Sequence, residues 1–237
     1  MNMPAKIVAI HQPNFFPWLG FFHKIYASDI FVVLNHVENN PRTAIYTKRV
    51  KIIANRQEFW LTCSLKNEPG RIFMPINEMV IDKPDRLKDK QLKTIELNYK
   101  KYPFYSEAAQ FLDIFYDHKS DLIAERNQDT INAICDKLNI TTKKVVSSDM
   151  QINSSSTQLL IDIIKQLGGD CYMPGGGAQG YQEDDMFKNN GIELRYQNFQ
   201  HPQYEQKNSD SFIPGLSIID TIMNIGLKET ENLIKNA

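Results

Sequence analysis

Cysteine is scarce in this chain: three residues, Cys63, Cys135 and Cys171, far apart and odd in number among 237. They suit a reducing compartment, where thiols stay free and sit inside as small apolar side chains. No CxxC, HxxxH or HExxH spacing occurs among the cysteines and five histidines, which argues against a metal site. No stretch approaches the roughly 18 uninterrupted apolar residues of a membrane-spanning helix. The opening MNMPAKIVAI turns polar too soon for a secretory signal, so the expected location is the cytoplasm. An excess of charge is missing too: 27 Lys+Arg against 28 Asp+Glu leave a net charge of −1. Duplex nucleic acid is therefore not an expected partner, although a local basic patch is compatible with the balance. No Gly-Lys-Ser/Thr follows the glycine-rich stretch, which excludes a Walker A loop, and no GxSxG elbow presents a serine nucleophile. Internal repeats, linkers and low-complexity tracts are absent.

What is present reads as an α/β protein, with 42% hydrophobic residues and a length that suits one domain, 1–237, carrying an elaboration. Lys6-Ile-Val-Ala-Ile10 is a buried-strand signal stopped by His11-Gln-Pro-Asn14. Trp18–Tyr26 reads as a helix and Asp29–Leu34 as a second strand. That is the size of a βαβ unit with parallel neighbouring strands, so a mainly parallel sheet is expected. Alternating segments at Tyr46–Ile53 and Phe59–Ser64 predict antiparallel rim strands, and Ile76–Ile81 a further short strand. From Pro84 the period becomes helical: Leu87, Leu92, Ile95 and Tyr99 form one stripe, followed by helices at Tyr105–Phe115 and Asp121–Leu138. Residues 84–138 thus read as a helical subdomain inserted between sheet elements. Strands are expected at Thr142–Val146, Cys171–Met173 and Ile192–Tyr196. A helix with serine capping is expected at Ser154–Leu167, burying Leu159, Leu160, Ile163, Ile164 and Leu167. A last helix starts at Ser217–Asp220 and closes at Gly226.

Two loops concentrate the chemistry. His11–Gly20 follows the first strand, the place where open α/β sheets bind ligands. It holds an imidazole (His11), two amides (Gln12 and Asn14), two prolines that rigidify it, and the indole of Trp18. Gly20 permits close backbone approach, and the helix start offers free N–H groups to an anion. The competing reading has Phe15, Phe16 and Trp18 cap the core while His11 bonds a neighbouring turn. The second loop, Pro174–Tyr181, carries Gly175, Gly176 and Gly177, then Gln179 and Tyr181. Small residues after a strand expose backbone N–H groups and form anion-binding nests. A plain surface loop is the alternative. Arg42, Lys48, Arg49 and Lys51 form a basic run that reads either as a solvated edge or as a phosphate clamp. Asp29 reads as a cap.

The two loops resemble the WbqC-like family, nearly end to end. The specific part is His11-Gln-Pro followed by Phe16-Pro-Trp-Leu-Gly-Phe-Phe with Lys24. Asp29-x-Phe-Val, Trp60-Leu-Thr62, Asn127, Leu138–Thr142, Ser147-Ser148, Thr157, Tyr172, Gly175–Gly177, Tyr181, Phe187 and Gly191-Ile192 support it. So does Phe212–Asp220, with Asn224 and Gly226. Residues 35–51 depart from the family pattern, with Asn35, Glu38 and Tyr46-Thr-Lys-Arg49. The resemblance implies a role in O-antigen or other surface-polysaccharide biosynthesis, and transfer of glycine or another acyl unit to an amino sugar. A more distant likeness, at fold level, is to nucleotidyltransferases and pantothenate-synthetase-type ligases.

The expected partners are a nucleotide-linked amino sugar and an acyl or amino-acid donor, either acyl-CoA or an aminoacyl carrier. A homo-oligomer is compatible with the sequence. The expected base is His11, because an imidazole near neutrality accepts the proton of an attacking amine. Expected substrate-binding residues are Gln12, Asn14, Trp18, Gly20, Lys24, Arg49, Gly175–Gly177, Gln179 and Tyr181. The alternatives are an ATP-dependent amide ligase with an adenylate intermediate and a non-catalytic binding protein of glycan assembly.

Overall fold

The computed structural model describes residues 5–39, 45–67, 71–175 and 183–237. Strand β1 (Ile7–His11) is followed by helix α1 (Leu19–Tyr26) and strand β2 (Ile30–Val33), which pairs parallel to β1 with Val8 opposite Ile30. The expected βαβ opening is therefore present. Two-residue strands β3 (Glu38–Asn39) and β6 (Met74–Pro75) pair antiparallel, as does the hairpin of β4 (Arg49–Ala54) and β5 (Gln57–Thr62). Ile76–Glu78 forms a 3-10 turn where the sequence predicts a strand. Its apolar residues are buried by turn geometry, with Ile76 fully enclosed.

Helices α2 (Pro84–Tyr99), α3 (Tyr105–Tyr116) and α4 (Ile123–Lys137) make up the predicted helical layer. Strand β7 (Lys143–Val146), helix α5 (Ser156–Gln166), strand β8 (Cys171–Met173), helix α6 (Asp184–Asn189), strand β9 (Glu193–Leu194) and helix α7 (Ile218–Lys235) complete the order. The main sheet has the order β7-β2-β1-β8-β9, with every neighbouring pair parallel.

Alternation along the strands divides the core in two. Ala9, Phe31 and Val33 face one layer with Leu19, Phe22 and Ile25 of α1 and with α3, α4 and α7. Val8, Ile10, Ile30 and Val32 face the other, with Leu159, Ile161, Ile163 and Ile164 of α5 and Phe187 of α6. Ile161 was not among the expected inward residues of α5, and Leu160 and Leu167 are only partly buried. The expected serine cap of α5 is not made: Ser155 has no side-chain cap bond, and Ser154 donates to Asp162 at 2.6 Å instead. All three cysteines are free and buried. No helix among the described residues is long and apolar enough to cross a membrane.

Gly226 does not close the last helix. α7 runs on to Lys235 through a kink at Gly226, where φ is 78° and ψ 169°. On the first half of α7, Asp220 is wholly buried and accepts from Tyr99 Oη at 2.8 Å, Tyr204 Oη at 2.7 Å and Asn224. Burial raises its pKa to about 6, and the three hydrogen bonds only partly oppose the rise. A carboxyl whose folded pKa lies above its unfolded value weakens the fold as it ionises. Its penalty is absent below about pH 4, grows between about pH 4 and 6, and stays constant above. The span corresponds to about 3 kcal/mol. Thermal melts from pH 4 to 7 should therefore show Asp220→Asn gaining on the parent as pH rises through that window. A constant difference across it would assign the group's titration elsewhere.

Candidate functional site

α1 carries the β1–β2 connection over one face of the sheet, and α5 leads from β7 to β8 over the other. The carboxyl ends of β1 and β8 thus flank a topological switch point, where open parallel sheets leave a crevice for ligands. His11 ends β1, and Pro174-Gly175 follow β8 directly. The two loops singled out in the sequence start from the two sides of one crevice.

The first loop is held from three distant segments. Phe15 N donates to Tyr46 O at 2.9 Å. Asn127 Nδ2 donates to both Pro13 O (2.9 Å) and Thr47 O (2.8 Å). Ser217 Oγ donates to Phe16 O, and Ile218 N to Pro17 O, both at 2.8 Å. These ties hold Phe16 at φ 39°, a value that a bulky residue adopts only when its surroundings impose it. Phe15 and Phe16 are buried against Phe115, as the competing core-cap reading of this loop requires. His11, Gln12 and Trp18 remain partly exposed.

Lys24, one helical turn after Gly20, is 2% exposed and donates to Ile10 O at 2.9 Å. A Cβ added at Gly175 would lie 3.9 Å from its Nζ, so the ammonium stands between the two strand ends. No carboxylate among the described residues forms an ion pair with it. Burial without a counter-charge lowers its pKa to about 7.

His11 lies beside it. Burial first, and then the charge of Lys24, lower its pKa to about 4, well below the neutral value expected for a base. The imidazole is therefore neutral at pH 7. Nδ1 carries the proton, because its partner at 3.0 Å is the Gln12 carbonyl, an acceptor only. Nε2 has no hydrogen-bond partner among the described residues. Phe21 supports the ring edge-on, with centroids 5.0 Å apart. Asn14 is buried at 5% exposure.

Trp18 and Gly20 form the flank. A Cβ at Gly20 would fall 2.4–2.8 Å from the Trp18 ring, so this glycine seats the indole of its own loop. The indole also meets Phe199 edge-on at 5.3 Å and stacks on His201 at 6.0 Å. Gln197 Nε2 ties the same segment to Gly20 O at 2.6 Å. Arg49 sits apart on the β4–β5 hairpin, its guanidinium 4.2 Å above Trp60 and its Nε buried without a hydrogen-bond partner among the described residues. Lys51 is paired with Glu58 at 2.6 Å. The 3-10 turn Ile45–Thr47 that precedes the hairpin meets the first loop, with Tyr46 O bonded to Phe15 N and Asn127 of α4 bridging Thr47 O and Pro13 O. Asp29 accepts from Ile7 N at 2.7 Å, tying the start of β1 to that of β2. Tyr172 is buried and stacked on Phe187. Gly176, Gly177, Gln179, Tyr181 and Arg42 lie outside the described residues.

Two polar residues at the same sheet edge escaped the sequence reading of the site. His36 follows β2 and its Nδ1 lies 2.6 Å from Ser147 Oγ, which follows β7. They are 111 positions apart and meet only because β2 and β7 pair in parallel. The available signal was that each lies within three residues of the end of a strand.

The WbqC-like protein family model matches residues 12–232. An uncharacterised protein of Mycobacterium tuberculosis, Rv1507c, is 27% identical over 229 residues, covering 96% of this chain and 97% of that one. No solved structure matches the chain.

Proposed function

Because the chain belongs to the WbqC-like protein family, we propose that it is a transferase of surface-polysaccharide biosynthesis that moves an acyl or aminoacyl unit onto the amine of a nucleotide-linked sugar. One observation carries the reading. A buried ammonium with no carboxylate partner among the described residues stands beside a neutral imidazole, between the ends of β1 and β8. A diphosphate supplies the missing anion, and it also changes the histidine. The charge of Lys24 is the second cause holding His11 down, so an anion over Lys24 lifts His11 towards neutrality.

The sugar amine then attacks the acyl carbonyl of the donor. The C–N bond forms, the amine proton passes to His11 Nε2, and the bond to the donor's leaving group breaks as that group takes the proton. Backbone N–H groups of Gly175–Gly177 are the proposed holders of the oxyanion or the diphosphate. Gln12, Asn14, Gln179 and Tyr181 are the proposed contacts to the sugar and its nucleotide.

The test is a panel of nucleotide-linked amino sugars with acyl-CoA and aminoacyl donors, read by mass spectrometry. The expected product is the sugar plus one acyl unit. His11→Ala should lose turnover by about a hundredfold or more, the upper part of the general-base range, with an unchanged melting temperature. A lowered melting temperature with turnover intact would make His11 structural. ATP-dependent pyrophosphate exchange would move the assignment to an adenylate-forming ligase. Ligand-dependent melting shifts without any product would make the protein a binding component.

A further inference from the structure

His36 is fastened at this sheet edge through its chain neighbours and its side chain. Leu34 N donates to His11 O at 2.8 Å, so the chain leaves β2 fastened to the end of β1. On one side of His36, Asn35 O accepts from Asn77 N at 2.8 Å; on the other, Val37 O accepts from Ile76 N at 3.2 Å. The side chain is fixed by a network that runs from buried Asn35 and Ser147 out to exposed Ser148 and Asp149. Asn35 N donates to Ser147 Oγ, and Asn35 Oδ1 lies 3.2 Å from both Ser147 Oγ and Ser148 N. Asn35 Nδ2 donates to Ser148 Oγ at 3.2 Å, and Ser148 Oγ donates to Asp149 Oδ1 at 3.3 Å.

One tautomer of His36 makes every contact of Ser147 in this network a hydrogen bond. Asn35 Oδ1 can only accept, so its bond with Ser147 uses the Ser147 hydroxyl proton. Ser147 Oγ then has two lone pairs, one for Asn35 N–H and one for a second donor. In that arrangement the contact at 2.6 Å runs from His36 Nδ1–H to Ser147 Oγ, and each proton of the network is used once. Nε2 is left as a bare acceptor with no hydrogen-bond partner among the described residues. Asp149, exposed next to Ser148 in the chain and joined to the network through Ser148 Oγ, also only accepts.

The carboxyl edge of the sheet is thus polarised. Over β1 and β8 stands the cation of Lys24, which asks for an anion. Over β2 and β7 stand acceptors, His36 Nε2 and the Asp149 carboxylate, which ask for O–H or N–H donors. We propose that His36 and Asp149 bind the hydroxyl- and amine-bearing sugar of the ligand while Lys24 holds its phosphates, with Ser147 and Asn35 as positioning residues for His36. This inference rests on the reading of the crevice as a nucleotide-sugar site, and it assigns that ligand a direction along the sheet edge.

Nitrogen-15 NMR of the imidazoles in the full chain tests the tautomer directly. At pH 7 His36 should be protonated on Nδ1 and bare on Nε2, and Ser147→Ala should redistribute that proton. An Nε2–H tautomer in the parent protein overturns the proposal whatever the protein's reaction is. Titration calorimetry with uridine diphosphate, and with uridine- and thymidine-diphosphate-linked amino sugars, tests the direction. His36→Gln and Asp149→Asn should each weaken the amino-sugar nucleotides by about tenfold, the range of one hydrogen bond to a charged or fixed partner. Both should leave free uridine diphosphate within about twofold, the scatter expected when no contact is lost. Equal weakening of both ligand types, or of neither, overturns the assignment and leaves the nucleotide-sugar reading standing. Failure of the unmodified protein to bind any of these ligands overturns the nucleotide-sugar reading and this direction with it. The tautomer then reports only on His36 itself.

Discussion

Lys24→Met should sharply cut turnover and raise the melting temperature together. The variant keeps the length and apolar body of the side chain in a site where the native residue is 2% exposed. It removes a charge that burial holds at a pKa of about 7, against an ordinary lysine value of 10.5. A lysine whose folded pKa lies below its unfolded one weakens the fold while it is charged. The penalty is full below about pH 7 and fades as pH rises towards 10. It amounts to several kcal/mol before solvent relaxation, in the range of about 3–5 kcal/mol for a buried unpaired charge. Against this stands the lost bond to Ile10 O at 2.9 Å, worth about 1–3 kcal/mol.

The net expectation at pH 7 is a gain of several degrees in melting temperature. The parent's own stability should climb between pH 7 and 10, and the variant's should not. Turnover should fall by about a thousandfold, the usual cost of removing a desolvated charge from an anionic ligand. A protein that keeps its charge at such a cost to stability has a use for it, which is the stability–activity trade-off in local form. A variant that melts lower than the parent and still turns over would make Lys24 a strut for β1.

Gly226→Ala should give a large loss of stability from the addition of so small a group as one methyl. At φ 78° and ψ 169° the residue occupies a region open essentially to glycine alone. An added Cβ would also lie 2.9 Å from Phe104 Cδ1 and 3.0 Å from Cε1. Phe104 cannot simply withdraw: its backbone N donates to Met223 O at 3.3 Å, in the turn of α7 just before the kink. Beyond the kink, Leu227 N donates to the Glu107 carboxylate at 2.7 Å, so α3 restarts the helix with a cap from outside.

Backbone strain and overlap together predict a loss of about 3 kcal/mol or more. For a chain of this size that lowers the melting temperature by about 6–12 °C. Glu107→Ala alone should cost about 1 kcal/mol, the value of a cap. The two losses should not add, since both act on the same junction. Near-parental melting in Gly226→Ala would mean that α7 straightens into a continuous helix at no cost.

Residue pattern alone carried much of this protein. The apolar runs at Ile7–His11, Ile30–Val33 and Cys171–Met173, separated by helical periods, dictate a parallel sheet, because each strand is buried on both faces and joined by a crossover. The position of His11 and of the glycine run, each directly after such a strand, marks the carboxyl edge. These are local properties, legible wherever side-chain period and turn chemistry decide the outcome.

Three features were beyond that reach. Gly226 reads as a helix stop because a left-handed glycine usually ends a helix, yet Glu107 on α3 supplies the cap that lets α7 go on. The pKa of His11 depends on its burial and on a cation thirteen positions away, so a residue expected near neutrality is held at about 4. His36 and Ser147 are unremarkable in sequence and become one hydrogen-bonded unit only when β2 and β7 align. Pattern determines where strands end, since it follows from the chain's own period. Charge state and side-chain partnership at those ends depend on which distant groups share the same small, poorly solvated volume, and only the tertiary structure decides that.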